Sequence, residues 1–355
     1  MGRSAIRVLD LFAGAGGMTA GLHAASSRFR SIGAVEWDRA AAASFEATFG
    51  PGIVRNTSIQ QWLEDGDLPR NVDVIIGGPP CQGFSTLGKQ DVEDDRNSLW
   101  REYAKTILAV KPKYFVVENV AAFTKSPQFE LFEESIESGD LKDYDFQHAI
   151  LNAADYGAPQ ARKRAVLIGH HRDLAFPGMP VKSHEGRHLN VQDAFTGIPE
   201  RVAGLDLPDR TFEFDGHEMS GSYTRDELHI GRRYTKLSMD RFREIPRGGN
   251  RKDLPESLMA RCWVGHTTGS GDVMGRLHLD KPSVTIRTEF FKPEKGRYLH
   301  PTANRAITHY EAAVLQGFPA THRFVGSKTA IARQIGNAVP IPLGAAIGRA
   351  LAAAL

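Results

Sequence analysis

Residues Asp10-Leu11-Phe12-Ala13-Gly14-Ala15-Gly16-Gly17 close an apolar run that begins at Ile6 and precede an Ala-rich segment that begins near Met18. A strand that passes through a glycine-rich turn into a helix is the opening unit of a doubly wound sheet, which places its ligand in the crevice at such a turn. Small side chains there let backbone lie against the ligand. Working outward, the chain reads as a strand at Ser31 to Val35, a second Ala-rich helix, a strand at Val72 to Ile76, a helix near Leu99 to Val110, and strands at Tyr114 to Val117 and Ala165 to Gly169. Short apolar runs separated by helical stretches predict βαβ units and a mostly parallel sheet buried on both faces. The expected fold class is α/β, doubly wound.

The 355 residues, 41% hydrophobic and 24% charged, make about two ordinary globular domains. Lys plus Arg at 44 against Asp plus Glu at 42 gives a net charge of +2, so a polyanionic partner has to be met by a local patch. Cys81 and Cys262 are the only cysteines; they exclude a disulfide framework and a thiolate zinc site and fit a reducing, cytosolic compartment. No HExxH-like spacing appears, so no metal is expected, and neither a signal peptide nor an apolar stretch of membrane length is evident. From Arg172 to Gly275, Pro, Gly, Asp and His are scattered without sustained helical period, which predicts a smaller loop-rich unit. Inside it, Gly231 to Lys252 carries eight basic residues (Arg232, Arg233, Lys236, Arg241, Arg243, Arg247, Arg251, Lys252) against Asp240 and Glu244. Gly248 and Gly249 in that run favour close backbone approach to a partner.

A nicotinamide or flavin fingerprint would need GxGxxG, but counting from Gly14 puts Thr19 at the sixth position. The turn alone is equally compatible with a tight strand-to-helix connection. Downstream, Glu36 can accept hydrogen bonds from ribose hydroxyls and Trp37 can stack on adenine. Without basic groups for a polyphosphate, this site suits S-adenosylmethionine better than NAD or ATP. After the Val72 to Ile76 strand comes Gly77-Gly78-Pro79-Pro80-Cys81-Gln82-Gly83-Phe84-Ser85. Two glycines and two prolines shape a loop around one cysteine, which reads as a presented thiol and not a buried inert one.

Six segments stand in one order: DLFAGAGG (Asp10 to Gly17), GGPPCQGFS (Gly77 to Ser85), ENV (Glu118 to Val120), QARKR (Gln160 to Arg164), DKPSVTI (Asp280 to Ile286) and QIGNAVP (Gln334 to Pro340). With these segments the sequence resembles the DNA cytosine-5 methyltransferases over nearly its whole length, except its variable middle. The resemblance implies a Rossmann-like S-adenosylmethionine-dependent catalytic domain and a methyl transfer to C5 of a cytosine flipped out of duplex DNA. Cys81 is implied as the nucleophile that adds at C6, Glu118 as the partner of N3 and the exocyclic amine, Arg164 as the ligand of O2, and Arg162 as a neighbour orienting the loop or a phosphate. Phe12, Ala13, Gly14, Gly16, Gly17, Glu36, Trp37, Ser58, Ile59, Pro79 and Leu99 are implied as cofactor-pocket members, closed by Asn337 and Val339.

Two departures from the family pattern stand out. Ser58 occupies the place of an acidic residue near the adenine amino group, and His309 precedes Glu311 where a basic residue is common. The resemblance further implies that Gln82 to Ser85 closes over the flipped base, and that the middle segment reads DNA, with Gln82, Ser85, Arg243, Arg247, Gly248, Gly249 and Arg251 as contacts. It divides the chain into a catalytic domain (1–175 plus 328–355) and a target-recognition domain (176–327). With nine residues before Asp10, no preceding helix-turn-helix is expected. The chain is expected to act as a monomer, as a solitary enzyme or as the functional counterpart of a cognate restriction endonuclease. An RNA cytosine-5 methyltransferase, a nicotinamide oxidoreductase and a catalytically silent DNA-binding protein are the competing readings. The insertion between QARKR and DKPSVTI, Thr19, and the joint presence of Cys81, Glu118 and Arg164 weigh against these in turn.

Overall fold

The computed structural model describes residues 4–80, 99–264 and 271–355. Its centre is a seven-stranded sheet in the order β3-β2-β1-β4-β5-β7-β6, built from β1 (Ile6–Leu11), β2 (Phe29–Val35), β3 (Val54–Arg55), β4 (Val74–Gly77), β5 (Tyr114–Val120), β6 (Tyr144–Asn152) and β7 (Lys163–His171). The first five strands are parallel; β7 runs antiparallel to both β5 and β6. The mostly parallel doubly wound expectation stands. Alternation along the strands explains the two covered faces. Val8, Val74, Ile76 and Val116 enter one buried cluster, while Leu9, Ile75, Phe115 and Val117 enter the other.

Around the sheet lie α1 (Gly17–Ala25), α2 (Arg39–Phe49), α3 (Ile59–Asp65), α4 (Leu99–Val110) and α5 (Pro127–Glu137). Strands β2 and β4 flank β1 on opposite sides, so the chain switches direction at the β1–β4 gap and opens a crevice at the carboxyl ends of these strands. Leu11, Gly77 and Val117 are in register there. The last helix, α10 (Ile341–Ala354), returns to α1 through an unusually close crossing. An added Cβ at Gly21 would lie 2.7 Å from the Gly344 backbone, and one at Gly348 would meet Ala25 at 2.8 Å.

The middle of the chain is more regular than its composition predicts. It contains α6 (Val191–Phe195), a hairpin of β8 (Thr211–Phe214) and β9 (His217–Ser220), β10 (Tyr223–Thr224) and α7 (Lys236–Glu244). Helix α7 lacks a visible apolar stripe because it buries only Phe242; Thr235 caps it, accepting from the Ser238 amide. Then come α8 (His309–Gln316), β11 (Arg323–Phe324), which pairs with β10, and α9 (Lys328–Asn337). Leu277, Ile286, Phe290 and Tyr298 share a buried cluster with Ala20 of α1. Residues from the expected recognition domain thus share a core with the helix that follows the glycine-rich turn. Among the described residues, no single helix is long and apolar enough to cross a membrane.

Four imidazoles, those of His229, His300, His309 and His322, are buried among the described residues. Burial pulls His300 and His309 down to about 4 and His322 down to about 3, from an ordinary value of 6.5. Because the folded values lie below the unfolded one, the unfolded chain takes up protons first as pH falls. The contribution of these three imidazoles is nil above pH 6.5 and destabilising below it, by roughly 2 kcal/mol per imidazole at pH 5, and outweighs the opposite dependence of a buried carboxyl such as Asp10. Urea unfolding at pH 7.5 and pH 5 checks this; equal free energies at the two values would contradict it.

Candidate active site

The glycine-rich turn is shaped by what it touches. Phe12, Gly14 and Gly16 all have positive φ, 55°, 55° and 83°. The Gly14 amide donates to Glu36 Oε2 (2.8 Å) and the Asp38 amide to Glu36 Oε1 (2.7 Å), so one buried carboxylate ties the turn to the end of β2. Burial pushes the Glu36 carboxyl up, against the pull of these amides. Thr19, the residue that breaks the dinucleotide fingerprint, is buried and donates its hydroxyl to Asp10 Oδ2 at 2.6 Å. Desolvation lifts Asp10 to about 7, with the Thr19 bond opposing and Glu36 reinforcing the rise. Gly17 is where the C-terminal return closes on the turn: a Cβ there would sit 3.0 Å from Ala338 and 3.1 Å from the Val339 carbonyl.

These features fit S-adenosylmethionine. The N-cap of α1 is Gly16, which offers no side-chain cap, and the first turn holds no acidic residue. The start of that helix is left open to an anionic group such as the amino-acid carboxylate. Trp37 is 74% exposed at the end of β2, a free aromatic face beside the Glu36 carboxylate. Asn56 fixes this rim by donating to the carbonyls of Glu36 (2.9 Å) and Trp37 (3.1 Å). Ser58, expected to accept from adenine, is the N-cap of α3, its hydroxyl oxygen taking the Gln61 amide at 3.2 Å. One of its lone pairs is therefore already engaged. Ile59 is buried below it, and Asn337 ends α9 exposed.

Cys81, Gln82 and Ser85 lie outside the described residues, but the base of their loop is defined. Pro79 follows β4, and its carbonyl accepts from Asn119 Nδ2 (3.0 Å), the middle residue of ENV. Gly78 packs against Glu118, where a Cβ would lie 3.1 Å from the Glu118 Oε2. Gly77 leaves room for Leu11 and for Tyr103, whose hydroxyl donates to the Val116 carbonyl (2.8 Å). The buried Glu118 at the end of β5 faces Arg164 on β7, with Arg164 Nε 2.7 Å from Glu118 Oε1. That contact is an ion pair whose angle falls short of hydrogen-bond geometry, leaving Oε1 without a hydrogen-bond donor among the described residues. A carboxylate and a guanidinium thus meet beside Gly78, three positions before Cys81, at the mouth of the crevice.

Of the two roles expected for Arg162, orienting the loop or a phosphate, the second does not fit its burial. It is 3% exposed, and its Nη1 donates to the carbonyls of Ile286 (2.8 Å) and Gly336 (3.0 Å). Burial, reinforced by Arg164, draws it down to about 9. It is a clamp between DKPSVTI and QIGNAVP, not a phosphate ligand at the surface. Gln160 works beside it, accepting from the Ile286 amide (2.9 Å) and donating to Gln316 Oε1 (2.8 Å). Sequence reasoning singles out neither Gln160 nor Asn119, although both lie inside quoted segments.

The expected DNA contacts divide. Arg243 and Arg247 are exposed, although Arg243 pairs with Asp240 at 2.8 Å. Arg251 is buried, its guanidinium 6.0 Å from the Trp263 ring centre. Gly248 and Gly249 answer to internal packing: a Cβ would strike His278 at 2.9 Å or Asp253 at 2.7 Å, and both carbonyls accept from Arg297. Close approach by an outside partner is not needed to explain them. Glu311 is also accounted for: it is buried, accepts two bonds from Arg305 (2.7 and 2.8 Å) and boxes the start of α8 with Thr308. His309 beside it bonds the Lys328 carbonyl (2.8 Å).

The family model described as C-5 cytosine-specific DNA methylase matches residues 6–353. The chain is 34% identical over 352 residues to the Type II methyltransferase M1.HphI of Haemophilus parahaemolyticus, spanning 97% of this chain and 86% of that protein. It is 32% identical over 384 residues to the Type II methyltransferase M.XorII of Xanthomonas oryzae pv. oryzae, spanning 98% and 84%. A crystal structure of a candidate DNA modification methyltransferase from an E. coli prophage matches with a TM-score of 0.70 at 25% identity, over 99% of each chain.

Replacing the Arg162 clamp tests its structural role. Arg162→Met strands two buried carbonyls, and a loss of roughly 3 kcal/mol in unfolding free energy is expected. An unchanged denaturation midpoint would return Arg162 to the set of surface ligands.

Proposed function

The chain belongs to the C-5 cytosine-specific DNA methylase family, and from that premise we propose how its residues share the reaction. It is a DNA cytosine-5 methyltransferase that uses S-adenosylmethionine. When bound, that cofactor supplies an electrophilic methyl group. Cytosine C5 is too weakly nucleophilic to take it unaided, so Cys81 adds its thiolate sulfur to C6 and pushes density toward C5. Glu118 accepts from the exocyclic amine and holds a proton at N3, which drains charge from the ring. Arg164 serves the base at O2 and, through its 2.7 Å contact, aligns the Glu118 carboxylate. After C5 has been methylated, loss of its proton and departure of Cys81 restore aromaticity. The single observation carrying this assignment is the convergence of Gly78, Glu118 and Arg164 at the base of the cysteine loop.

The cofactor reading assigns the α1 start to the amino-acid carboxylate, Glu36 to the ribose and Trp37 to the adenine face. Ser58 keeps a lone pair for the adenine amine beyond its capping bond. The catalytic domain we assign to residues 1–175 and 328–355, with 176–327 as the DNA-reading insertion, whose buried residues share a core with α1. Arg243 and Arg247 are its proposed phosphate contacts. The two relatives named above are Type II methyltransferases, which supports a role opposite a cognate restriction endonuclease, within the cytoplasm.

Three outcomes follow. Cys81→Ser is expected to abolish methylation of duplex DNA while S-adenosylmethionine affinity stays within a few-fold, read by bisulfite mapping and calorimetry. DNA carrying 5-fluorocytosine at the mapped site is expected to give a covalent complex on a denaturing gel, because no proton can leave C5; methylation by the serine variant or absence of the adduct would sink the mechanism. Replacing Arg243 and Arg247 with alanine is expected to weaken DNA binding and reduce the salt slope by about 0.9 for each phosphate left without its arginine. An unaltered slope would move the DNA face elsewhere.

A further inference from the structure

The stretch Arg261-Cys262-Trp263-Val264 has no role in the assignments above. It begins in the second of two single helical turns, Glu256–Leu258 and Arg261–Trp263. Trp263 is half-buried and packs on the cluster of Phe242, Ile245, Leu254, Met274 and Leu299. Its neighbours do the opposite: Arg261 and Cys262 are exposed, and Val264 keeps 53% of its surface open to solvent. One anchored ring is thus flanked by three outward side chains.

Arg241 of α7 makes the anchor rigid. Its Nε donates to the Leu258 carbonyl at 2.8 Å while its guanidinium lies 5.0 Å from the Trp263 ring centre, so a single side chain holds both the first turn and the ring. An indole is the aromatic face that attracts a cation most strongly. A second cation, Arg251, stands 6.0 Å from the same ring. Two residues after Arg241 on the same helix comes Arg243, and just beyond the helix Arg247, both exposed. Helix α7 therefore carries a proposed phosphate contact and, beside it, the arginine that fixes the Trp263 turn.

A fixed guanidinium next to an exposed branched apolar side chain is the chemistry that tells base edges apart. Arginine donates in pairs to guanine O6 and N7, and an apolar group packs on the thymine 5-methyl. Such a paired contact has strict geometry, which a tethered turn can meet and a swaying one cannot. Phosphate makes no such demand and carries no sequence information. We propose that Arg261 and Val264 are specificity-determining residues, Arg261 reading a guanine and Val264 a thymine methyl in the site around the target cytosine, with Trp263 as their pedestal. The inference rests on the reading of residues 176–327 as the DNA-reading insertion. It adds which side chains choose the sequence, and separates them from Arg243 and Arg247, which hold any duplex.

The test is methylation of duplexes randomised around the mapped cytosine, read by hairpin bisulfite sequencing, with the wild type, Arg261→Ala, Val264→Ser and Arg243→Ala. Arg261→Ala is expected to lower methylation of the preferred sequence about tenfold or more and to lose a guanine preference at one position while the others keep theirs. Val264→Ser is expected to relax a second position that prefers thymine. Arg243→Ala lowers every sequence alike. These side chains are exposed, so melting temperatures stay near that of the wild type. A uniform fall with Arg261→Ala, or a base preference kept intact by either variant, would overturn the proposal. So would Cys262 alkylation by N-ethylmaleimide, followed on its own peptide by mass spectrometry, that proceeds unslowed under saturating cognate duplex. An unaltered salt slope in the Arg243 and Arg247 double variant would instead overturn the DNA-reading assignment, a distinct result.

Discussion

Much of this structure depends on one buried guanidinium. Arg162 reaches carbonyls that lie 124 and 174 positions further along the chain, and so ties the start of β7, the end of the middle segment and the C-terminal return together at one point. Two carbonyls share its Nη1, while its buried Nε has no hydrogen-bond partner among the described residues. Gly336 makes the junction possible sterically, since a Cβ there would overlap the Thr288 amide nitrogen. Geometry at Glu118 and Arg164 is inherited from this junction, because Arg164 follows Arg162 by two residues. The strand order opens the crevice, and Arg162 joins three distant segments to one another.

The fold is legible in sequence where periodicity is strong. Strands β1, β4 and β5, buried on both faces, read as continuous apolar runs, and α4 is found at its predicted bounds. Strand β6 escapes such a reading because it is the sheet's edge: Asp145, Gln147 and His148 interrupt its pattern, and one side has no neighbour to demand apolar residues. Helix α7 escapes for a related reason, having one buried side chain in nine residues. A short polar helix held by its cap and a single anchor carries almost no hydrophobic signal.

Site residues are legible as types but not as roles. Glu118 and Arg164 do face one another, and the Gly14 turn does rest on Glu36. Arg162 and Arg164, two positions apart at the start of β7, look alike in sequence; one points into the protein and the other toward the crevice. Likewise the pair Gly248 and Gly249 reads the same whether the neighbour that forbids a Cβ is a ligand or, as here, His278 and Asp253. Sequence reports that space is short, while only the fold reports what occupies it.

The glycine crossing of α1 and α10 has a consequence for how the protein is made. Helix α1 is synthesised before most of the sheet, yet the surface that Gly21 is shaped to receive, Gly344, leaves the ribosome only after the whole middle segment. Until then the apolar side of α1, with Met18 and Leu22, has no cover from Leu343 and Ile347. The sheet's first helix is seated by one that lies beyond the whole middle segment in sequence, so the two ends of the chain are packed as one unit.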